Sequence, residues 1–466
     1  MVDPSNHRPG LFSPFRGSEA FEAALKVFVY LRGAGHRVYF VGGCVRDALL
    51  CSITGRLPRR AEDFDIASDA PPGRVASLFP STHQVGASFG VTVVSMDGHN
   101  VEVAQFRREG PYTDGRHPDF VREATPVEDS ARRDFTVNAM MYDPESGELL
   151  DYQGGAEDLR AGILRFIGDP KTRIVEDRLR LLRAARFACT YGFAMTPDSR
   201  SAVVRHANLI STVSAERIAE ELRRMLASPS RACCVSLLDE LGLLAHIMPE
   251  AVAMKGVPQP PDYHPEGDVF THTLLAIEKL PADAGFALSL AALLHDAGKP
   301  ATFARGERIT FHGHDAHGAR IAADICHRLR LSGEETEEIV YLVGSHMKFV
   351  SLPDMRRARA LAFLSSKWAS DCLDLYLADI EASTKNLATY RYACELLEQA
   401  REIPPPYVKG EDVIRLGVPP GPAIGHALRE SYARQIEGRY ATREEALSDL
   451  GSITGGLFCE GEMEDE

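Results

Sequence analysis

One stretch constrains the fold of this chain more than any other: residues 39–47, which read YFVGGCVRD. Aromatic and β-branched residues run into a glycine pair, which is typical of a strand that ends at a tight turn, and a helix is expected from Val45. Gly42 and Gly43 allow the backbone to approach a ligand closely, and amides at the start of a helix attract anions such as phosphate. Arg46 would add a fixed cation. The stretch therefore predicts a phosphate-binding turn between a strand and a helix.

Two carboxylates follow in an extended segment, residues 63–67, which read DFDIA. Because side chains alternate along a strand, Asp63 and Asp65 share one face and the apolar side chains share the other. Paired carboxylates are hard oxygen ligands that suit Mg²⁺, and two-metal phosphoryl transfer needs such ligands. Taken alone, a glycine pair is usually an ordinary turn, and Asp-x-Asp is usually a solvated strand end. The two together, with Arg46 at a fixed offset, are far more specific.

Together these residues resemble the nucleotidyltransferase signature of the DNA polymerase beta superfamily. The run Gly-Gly-Cys-Val-Arg-Asp resembles the branch that contains tRNA nucleotidyltransferases and bacterial poly(A) polymerases. The link from Gly43 to Asp65 is longer than that family usually has, so we expect residues 51–62 to form a surface loop. The resemblance covers nearly the whole chain, and its motifs arrive in the order of the family.

The composition limits the classes of protein that the chain can belong to. With 466 residues, of which 44% are hydrophobic, it should hold roughly two to four domains with sizeable cores. A net charge of −14 argues against a protein that coats nucleic acid by bulk charge, so any RNA site must be a local basic patch. Nine scattered cysteines without a Cys-x-x-Cys pair predict reduced thiols rather than a disulfide framework or a zinc site. The start lacks an apolar leader, and no run is long enough for a membrane span, so we expect a cytoplasmic protein.

Further features extend the predicted head. Residues 19–35 read as an amphipathic helix, and residues 91–95 and 101–104 as the strands of a hairpin. Glu102 lies between valines, either as a third catalytic carboxylate or as an exposed strand residue. Residues 107–118 are rich in turn formers and arginine and predict a mobile loop. The resemblance implies the loop that lets such enzymes switch from adding C to adding A.

Residues 132–139, which read RRDFTVNA, match the second motif of the family closely. A carboxylate such as Asp134 can accept hydrogen bonds from ribose hydroxyls, and the adjacent Arg133 can hold phosphate. The alternative is a helix start with ordinary surface charges. The resemblance places Asn138 in the same nucleotide site, and residues 151–159 resemble the third motif, a turn that supports the catalytic head.

Residues 176–187, which read EDRLRLLRAARF, predict a helix with one apolar side and with Asp177, Arg180 and Arg183 on another face. A solvated ion-pair face is the ordinary interpretation. The string resembles the motif by which class II tRNA nucleotidyltransferases select the incoming base with protein side chains. A carboxylate accepts from the amino group of C or A and a guanidinium donates to the ring, whereas U and G present the reverse pattern. By resemblance Arg183 and Arg186 also belong to the nucleotide site, unless they brace the helix by ion pairs.

The second half of the chain becomes mostly helical and rich in histidine. A single histidine on an apolar helix is usually a core residue. The ordered set of His, His-Asp, His, His and Asp resembles the HD superfamily of metal-dependent phosphohydrolases, and such ligands suit a divalent metal such as Mg²⁺, Mn²⁺ or Ni²⁺. The implied ligands are His272, His295, Asp296, His314, His346 and Asp379.

The fold class expected from the resemblance is an α+β nucleotidyltransferase head, with a small mixed or antiparallel sheet, followed by an all-α neck, HD body and tail. We expect the head over residues 19–160, a neck with the base-reading helix over 161–230, the HD domain over 231–400, a helical tRNA-binding tail over 405–455 and a disordered acidic end over 456–466.

As a whole the sequence resembles class II CCA tRNA nucleotidyltransferases, which implies tRNA, CTP and ATP as partners, Mg²⁺ at the head, and no DNA or membrane. The nearest alternative is a poly(A) polymerase or an enzyme that adds only CC or only A. A phosphohydrolase with an RNA-binding head and a non-catalytic RNA-binding protein are alternatives that the preserved acids disfavour. The expected site residues are Asp63, Asp65 and Glu102 for catalysis and Gly42, Gly43, Arg46, Arg133, Asp134, Asn138, Asp177, Arg180, Arg183 and Arg186 for the nucleotide.

Overall fold

The computed structural model describes residues 10–55, 63–85, 90–110, 112, 115, 118–261 and 263–460. The chain forms two compact units. The described parts of Met1–Met225 and Cys233–Ile247 form the first unit, and those of Leu226–Ala232 and Met248–Glu466 form the second. The smaller domain boundaries expected from the sequence stay predictions. No helix within the described ranges is long and apolar enough to cross a membrane.

A mixed sheet forms the centre of the first unit. The strands of this unit, in chain order, are β1 (Val38–Val41), β2 (Ile66–Ser68), β3 (Thr82–Val85), β4 (Val91–Met96), β5 (His99–Gln105), β6 (Arg107–Glu109), β7 (Val121–Glu123), β8 (Met141–Asp143), β9 (Glu148–Leu150), β10 (Ile163–Leu164) and β11 (Ala194–Met195). Seven of them form the sheet in the order β3-β4-β5-β2-β1-β8-β9, while β6 pairs with β7 and β10 with β11. Only β2 and β5 run parallel among the neighbours in the main sheet. The predicted α+β head and its β4–β5 hairpin are confirmed.

Helices surround this sheet and continue beyond it. Those that begin between residues 19 and 247 are α1 (Glu19–Gly33), α2 (Gly43–Thr54), α3 (Pro72–Leu78), α4 (Pro126–Ala131), α5 (Gly155–Ala161), α6 (Pro170–Glu176), α7 (Arg180–Tyr191), α8 (Pro197–Arg205), α9 (Ala215–Leu226), α10 (Arg231–Glu240) and α11 (Leu244–Ile247). The helix predicted over residues 19–35 is confirmed as α1.

An aromatic core in the first unit orients the acid pair. The ring of Phe12 packs against Phe40 of β1 at 5.1 Å and against Phe64 at 6.0 Å between ring centroids. Phe64 is buried, and Asp63 beside it is exposed. The alternation predicted for residues 63–67 therefore holds, although β2 itself begins only at Ile66, so that the two acids precede the strand.

The turn after β1 differs from its prediction in two details. Helix α2 begins at Gly43 rather than at Val45, because Gly42 adopts φ 73° and ψ −128° and so ends the strand at once. The helix then runs to Thr54, which shortens the surface loop predicted over residues 51–62. Residues 56–62 of that loop lie outside the described residues.

The single helix predicted over residues 176–187 is wrong. Helix α6 ends at Glu176, Asp177 is extended with φ −137° and ψ 104°, and α7 begins at Arg180. The N–H of Leu179 donates to Oδ1 of Asp177 at 3.2 Å, so the carboxylate competes with the helical hydrogen-bond pattern and interrupts it.

The loop predicted over residues 107–118 begins as regular structure. Residues Arg107–Glu109 pair antiparallel with Val121–Glu123, which makes this segment the base of a hairpin. Residues 111, 113, 114, 116 and 117 lie outside the described residues, so the mobility of the loop stays a prediction.

The second unit is almost entirely helical. Its elements are α12 (Pro249–Val252), α13 (Val269–Lys279), α14 (Phe286–Leu294), α15 (Lys299–Thr302), β12 (Ala304–Arg305), β13 (Ile309–Thr310), α16 (His314–Arg328), α17 (Gly333–Ser345), α18 (Arg357–Leu364), α19 (Ala369–Ala382), α20 (Ala388–Arg401), α21 (Gly410–Arg415), α22 (Pro422–Ile436) and α23 (Arg443–Glu460). Apart from Ser289, helix α14 is apolar on all sides, and it is buried, as such helices are. The expected all-α second part is confirmed.

The last three helices pack around a small core of their own. Val413, Val418, Tyr440 and Leu450 are buried in it. Helix α23 continues to Glu460, and the disorder expected over residues 456–466 stays a prediction. Residues 461–466 lie outside the described residues.

One pair of cysteines departs from the expected reduced state. Cys189 of α7 and Cys233 of α10 form a disulfide, with their Cα atoms 5.8 Å apart and a separation of 44 positions in sequence. No local pattern in the sequence could reveal this pairing, because the two cysteines meet only when the helices pack.

Candidate functional site

A charged cavity of about 520 Å³ in the first unit brings together all ten residues predicted to bind the nucleotide. It lies where β1 ends and β2 begins, which the antiparallel pairing of Phe40 with Ile66 places at one edge of the sheet. Gly42, Gly43 and Asn138 line it, and Glu102 is not among its lining residues. Its ionisable side chains are Arg46, Arg132, Arg133, Arg180, Arg183, Arg186, Arg224, Asp47, Asp63, Asp65, Asp134 and Asp177.

The glycine pair leaves room for two arginines. A Cβ atom added to Gly42 would lie 3.2 Å from Nη1 of Arg133, and one added to Gly43 would lie 3.6 Å from Nη2 of Arg46. Gly42 also has a positive φ, which strains any other residue. The glycines therefore let two guanidinium groups approach the start of α2, where backbone amides already favour an anion.

The acids gather at the same edge of the sheet. Because β2 runs parallel to β5 with Ile66 opposite Val103, the residues before them, Asp65 and Glu102, are neighbours. Burial raises the pKa of Asp65 to about 6, with repulsion from Glu102 adding to it and Arg133 opposing it. Carboxylates that repel one another favour a divalent cation, and Mg²⁺ in phosphoryl-transfer sites takes one or two carboxylates together with substrate phosphates. The acids fit such an ion.

A buried carboxylate that the motif analysis missed holds both arginines of the second motif. Asp129 on α4 is 1% exposed and lies 2.8 Å from Arg132 and 3.2 Å from Arg133. Its spacing of three and four residues from these arginines was a readable signal. Both arginines are therefore held by a buried partner, and the alternative of ordinary surface charges at a helix start is less favoured.

Asp134 is buried and joined to the helix α7. Its Oδ2 accepts hydrogen bonds from Nε and Nη2 of Arg183 at 2.8 Å and 2.6 Å, and its Oδ1 accepts one from Asn138 at 3.1 Å. Burial alone would raise the pKa of Asp134, but the charges of Arg183 and Arg180 lower that pKa to about 2. The carboxylate is therefore ionised and held in one orientation.

Asp177 and Arg180, the predicted base-reading pair, both line the cavity but make separate contacts. Arg217 of α9 donates to both oxygens of Asp177 at 3.0 Å. Arg180 lies 2.8 Å from Glu176 and donates to the carbonyl oxygens of Arg173 and Arg132 at 2.8 Å and 3.1 Å. Arg217 was missed because it lies 40 residues away in sequence.

Helix α9 supplies a second partner for α7. The buried Glu221 accepts from Nε of Arg186 at 2.7 Å and lies 3.9 Å from Arg183. The sequence left open whether these arginines bind nucleotide or brace the helix, and the contacts favour bracing for Arg186. The cavity lining also includes Arg224 of α9 and Tyr191 of α7, which the motif analysis did not single out.

The six predicted HD residues come together in the second unit. Asp296 lies 3.2 Å from His295, 3.5 Å from His314, 3.9 Å from His346 and 3.8 Å from His272. Asp379 lies 3.0 Å from Nε2 of His272. Such a set of buried imidazoles around a buried carboxylate can hold a metal ion.

The chemistry of these atoms supports that assignment. Nε2 of His272 and Nε2 of His295 are buried and lack a hydrogen bond of good geometry, even though carboxylates lie within reach. Nε2 of His314 and Nε2 of His346 face each other at 3.2 Å. Burial lowers the pKa of His346 to about 4, so its imidazole is neutral and able to donate its lone pair.

Three further residues of this cluster escaped the motif analysis. Oε1 of Glu266 lies 2.7 Å from Nδ1 of His272 and 2.9 Å from Nδ1 of His264, which leaves Nε2 of His272 for a ligand. Lys299 lies 2.7 Å from Asp296 and is itself buried. Glu266 is only six residues before His272, so its position was readable from the sequence.

Three stretches of the chain match known protein families. Residues 38–165 match the family described as poly A polymerase head domain, residues 192–254 a probable RNA and SrmB-binding site of polymerase A, and residues 269–380 the HD domain. An A-adding tRNA nucleotidyltransferase of Deinococcus radiodurans is 37% identical over 352 residues, which is 70% of this chain and 80% of that protein. The chain belongs to the tRNA nucleotidyltransferase and poly(A) polymerase family.

Other members of the family match over a shorter stretch. CCA-adding enzymes of Anoxybacillus flavithermus and Geobacillus stearothermophilus are 40% and 41% identical over 241 and 230 residues. These matches span 51% and 49% of this chain and 58% and 54% of the two enzymes, so the chain aligns with little more than half of their length. The crystal structure of the Bacillus stearothermophilus CCA-adding enzyme in complex with CTP is 28% identical, with a TM-score of 0.57 and coverage of 95% of this chain and 100% of that one.

Proposed function

We propose that this family member is a cytoplasmic, template-independent nucleotidyltransferase that adds CMP, CMP and AMP from CTP and ATP to the 3′ end of tRNA. The observation that carries the proposal is the composition of one cavity. It holds an acid pair suited to phosphoryl transfer, Asp63 and Asp65, and a pair suited to reading a base, Asp177 and Arg180. An enzyme without base selection would need only the first pair.

Asp63 and Asp65 would hold two Mg²⁺ ions, which when bound activate the 3′-hydroxyl and stabilise the leaving pyrophosphate. Glu102, next to Asp65, is the candidate for a third carboxylate. Gly42 and Gly43 offer the start of α2 to the triphosphate, with Arg46 and Arg133 beside them. Asp134 would accept hydrogen bonds from the ribose, with Asn138 in support.

Base selection would rest on Asp177 and Arg180. A carboxylate held by Arg217 can still accept the amino group of C or A with its remaining lone pairs. Arg180 has five N–H donors, of which Glu176 and two backbone carbonyls engage three, so donors remain for a ring acceptor. Arg183 joins this site through Asp134, and Arg186 acts by bracing α7.

The HD cluster is proposed to hold a divalent metal through His272, His295, Asp296, His314, His346 and Asp379. The helical tail, with its separate core, is proposed to contact tRNA by shape rather than by bulk charge. The narrower alternatives, addition of A only or of CC only and poly(A) synthesis, share the same cavity chemistry. Because one relative is named an A-adding tRNA nucleotidyltransferase, addition of A only is the most concrete of these alternatives.

One assay separates these possibilities. The protein is incubated with three tRNAs, ending before the CCA, after the first C and after both Cs, with each nucleoside triphosphate singly and with all four. The product ends are then sequenced. Addition of CCA, of CA and of A, respectively, is the expected result. Extension of only the third tRNA would identify an A-adding enzyme, and runs of A on all three would identify a poly(A) polymerase.

A further inference from the structure

A closed ring of polar contacts joins the helix α7 to the turn after β1. Nη2 of Arg46 donates to the hydroxyl of Tyr191, and Nη1 of Arg46 donates to Oδ1 of Asn138 at 2.6 Å. Asn138 donates to Asp134 at 3.1 Å, and Asp134 accepts from Arg183 at 2.6 Å. Arg183 and Tyr191 both belong to α7, so the ring begins and ends on the same helix.

Each of the three guanidinium nitrogens of Arg46 donates a hydrogen bond, two of them within this ring. Arg46 is 5% exposed, and its remaining nitrogen, Nε, donates to Asp47 at 2.8 Å. Its guanidinium lies 4.3 Å from the ring centroid of Tyr191 and 5.1 Å from that of Phe187. A cation that is enclosed by a carboxylate, an amide and two aromatic rings has a fixed position. This is the geometry of a brace between elements.

Tyr191 is suited to hold that brace. Its ring stacks between Phe187 at 5.8 Å and Phe193 at 5.4 Å, so its orientation is set by packing. Burial, with the carboxylate of Asp47 adding to it, raises the pKa of Tyr191 to about 12. The phenol therefore keeps its proton, and it can accept from Arg46 while donating to Asp47.

The contact between Tyr191 and Arg46 lies at the opposite end of α7 from the predicted base-reading residue. Arg180, the predicted base reader, is the first residue of α7, and Tyr191 is the last. The helix is thus attached to the phosphate-binding turn at Tyr191 and to the second motif at Arg183. Both attachments fix the distance from the base-reading end to the start of α2.

Resting on the nucleotide-selecting function proposed above, we propose that Tyr191 is a positioning residue that holds the base-reading helix in register with the phosphate-binding turn through Arg46. A ligand that bridges two subsites gains affinity over its separate parts only when their separation matches its own length and is held fixed. Tyr191 therefore favours nucleotides whose base and triphosphate reach both subsites at once.

The test compares a whole nucleotide with its two parts. Dissociation constants of CTP, cytidine and tripolyphosphate are measured by calorimetry, without tRNA, for the wild type and Tyr191→Phe. The phenylalanine keeps the aromatic stack and removes only the hydroxyl. CTP should bind about tenfold more weakly, the loss typical of one hydrogen bond to a charged group, while cytidine and tripolyphosphate change less than about twofold. Tyr30→Phe, the same change at a residue that is 60% exposed, should alter none of the three.

Two results would overturn the inference: an unchanged affinity for CTP, or an equal loss for CTP and for one of its parts. The second would mean that Tyr191 supports a single subsite or the fold. Failure of the proposed function has a different signature, since the wild type would then bind CTP no more tightly than tripolyphosphate. That outcome would reject base selection and the inference together.

Discussion

Arg217 of α9 donates to both carboxylate oxygens of Asp177, at 3.0 Å each. Asp177 sits in the break between α6 and α7, where the N–H of Leu179 donates to the same carboxylate at 3.2 Å. Its orientation is therefore set before any base arrives. A carboxylate that is fixed in advance discriminates between bases at a lower entropic cost than one that must be ordered by the ligand.

Loss of either acid of the pair before β2 should abolish nucleotide addition. Asp63→Asn or Asp65→Asn keeps the size of the side chain but removes the charge that a divalent cation needs. We expect kcat to fall by about a thousandfold or more, with an unchanged melting temperature. Asp97→Asn, at an exposed residue of the same unit that pairs with Lys26, is the matched control. Retention of more than a tenth of the wild-type kcat in either acid variant would reject the assignment.

The role of Glu102 can be decided in the same assay. If Glu102 is a third catalytic carboxylate beside Asp65, Glu102→Gln should lower kcat by at least about a hundredfold. If Glu102 is an ordinary strand residue opposite Val93, Glu102→Gln should lower kcat by less than about threefold.

The HD cluster should bind metal independently of nucleotide addition, because the two sites belong to different compact units. Asp296→Asn removes the carboxylate that lies within 3.9 Å of four imidazoles, and the double variant His295→Ala with Asp296→Ala removes two adjacent ligands. Elemental analysis should show a loss of bound divalent metal in both, while tRNA extension is retained. The exposed His312→Ala is the control. Wild-type metal content in both variants would mean that these residues are only core.

Thiol counting and unfolding measurements test the disulfide between Cys189 of α7 and Cys233. Alkylation of the unfolded protein should modify two more thiols after reduction than before. Since the cysteines are 44 positions apart in sequence, Cys233→Ser should lower the free energy of unfolding by about 4 kcal/mol, whereas Cys394→Ser should have little effect. The same number of modified thiols before and after reduction would show that the expected reduced state was right.

The local motifs could be read from the sequence, but their long-range partners could not. Gly42, Gly43, Asp63 and Asp65 follow from the turn chemistry and the alternation of one strand, and they meet at one edge of the sheet as expected. The break at Asp177 was missed because helical spacing continues through it, and only a side chain that competes for backbone hydrogen bonds interrupts the helix.

Distance along the chain explains the remaining omissions. Glu221 is 35 residues from Arg186, and Tyr191 is 145 residues from Arg46, so no spacing rule connects them. Asp129, which lies three and four residues before its arginine partners, was within reach of such a rule.

Asp177→Ala distinguishes a cavity that both selects the base and transfers the nucleotide from one in which this carboxylate only forms an ion pair. The variant loses the acceptor for the amino group of C or A and the charge that repels the carbonyl oxygen of U or G. It also leaves Arg217 without its carboxylate partner, so an ion-pair role predicts a different outcome from a base-reading role. Arg200→Ala, which breaks the exposed pair with Glu240, controls for the loss of an ion pair.

The measurement is kcat/KM for each of the four nucleoside triphosphates on tRNA that lacks its 3′ end, beside the thermal melt of each variant. The preference for CTP and ATP over UTP and GTP should fall by about tenfold to a hundredfold in Asp177→Ala, while extension with CTP and ATP persists at a reduced rate. A uniform loss across the four nucleotides, together with a lower melting temperature, would contradict base selection by α7 and its flanking residues.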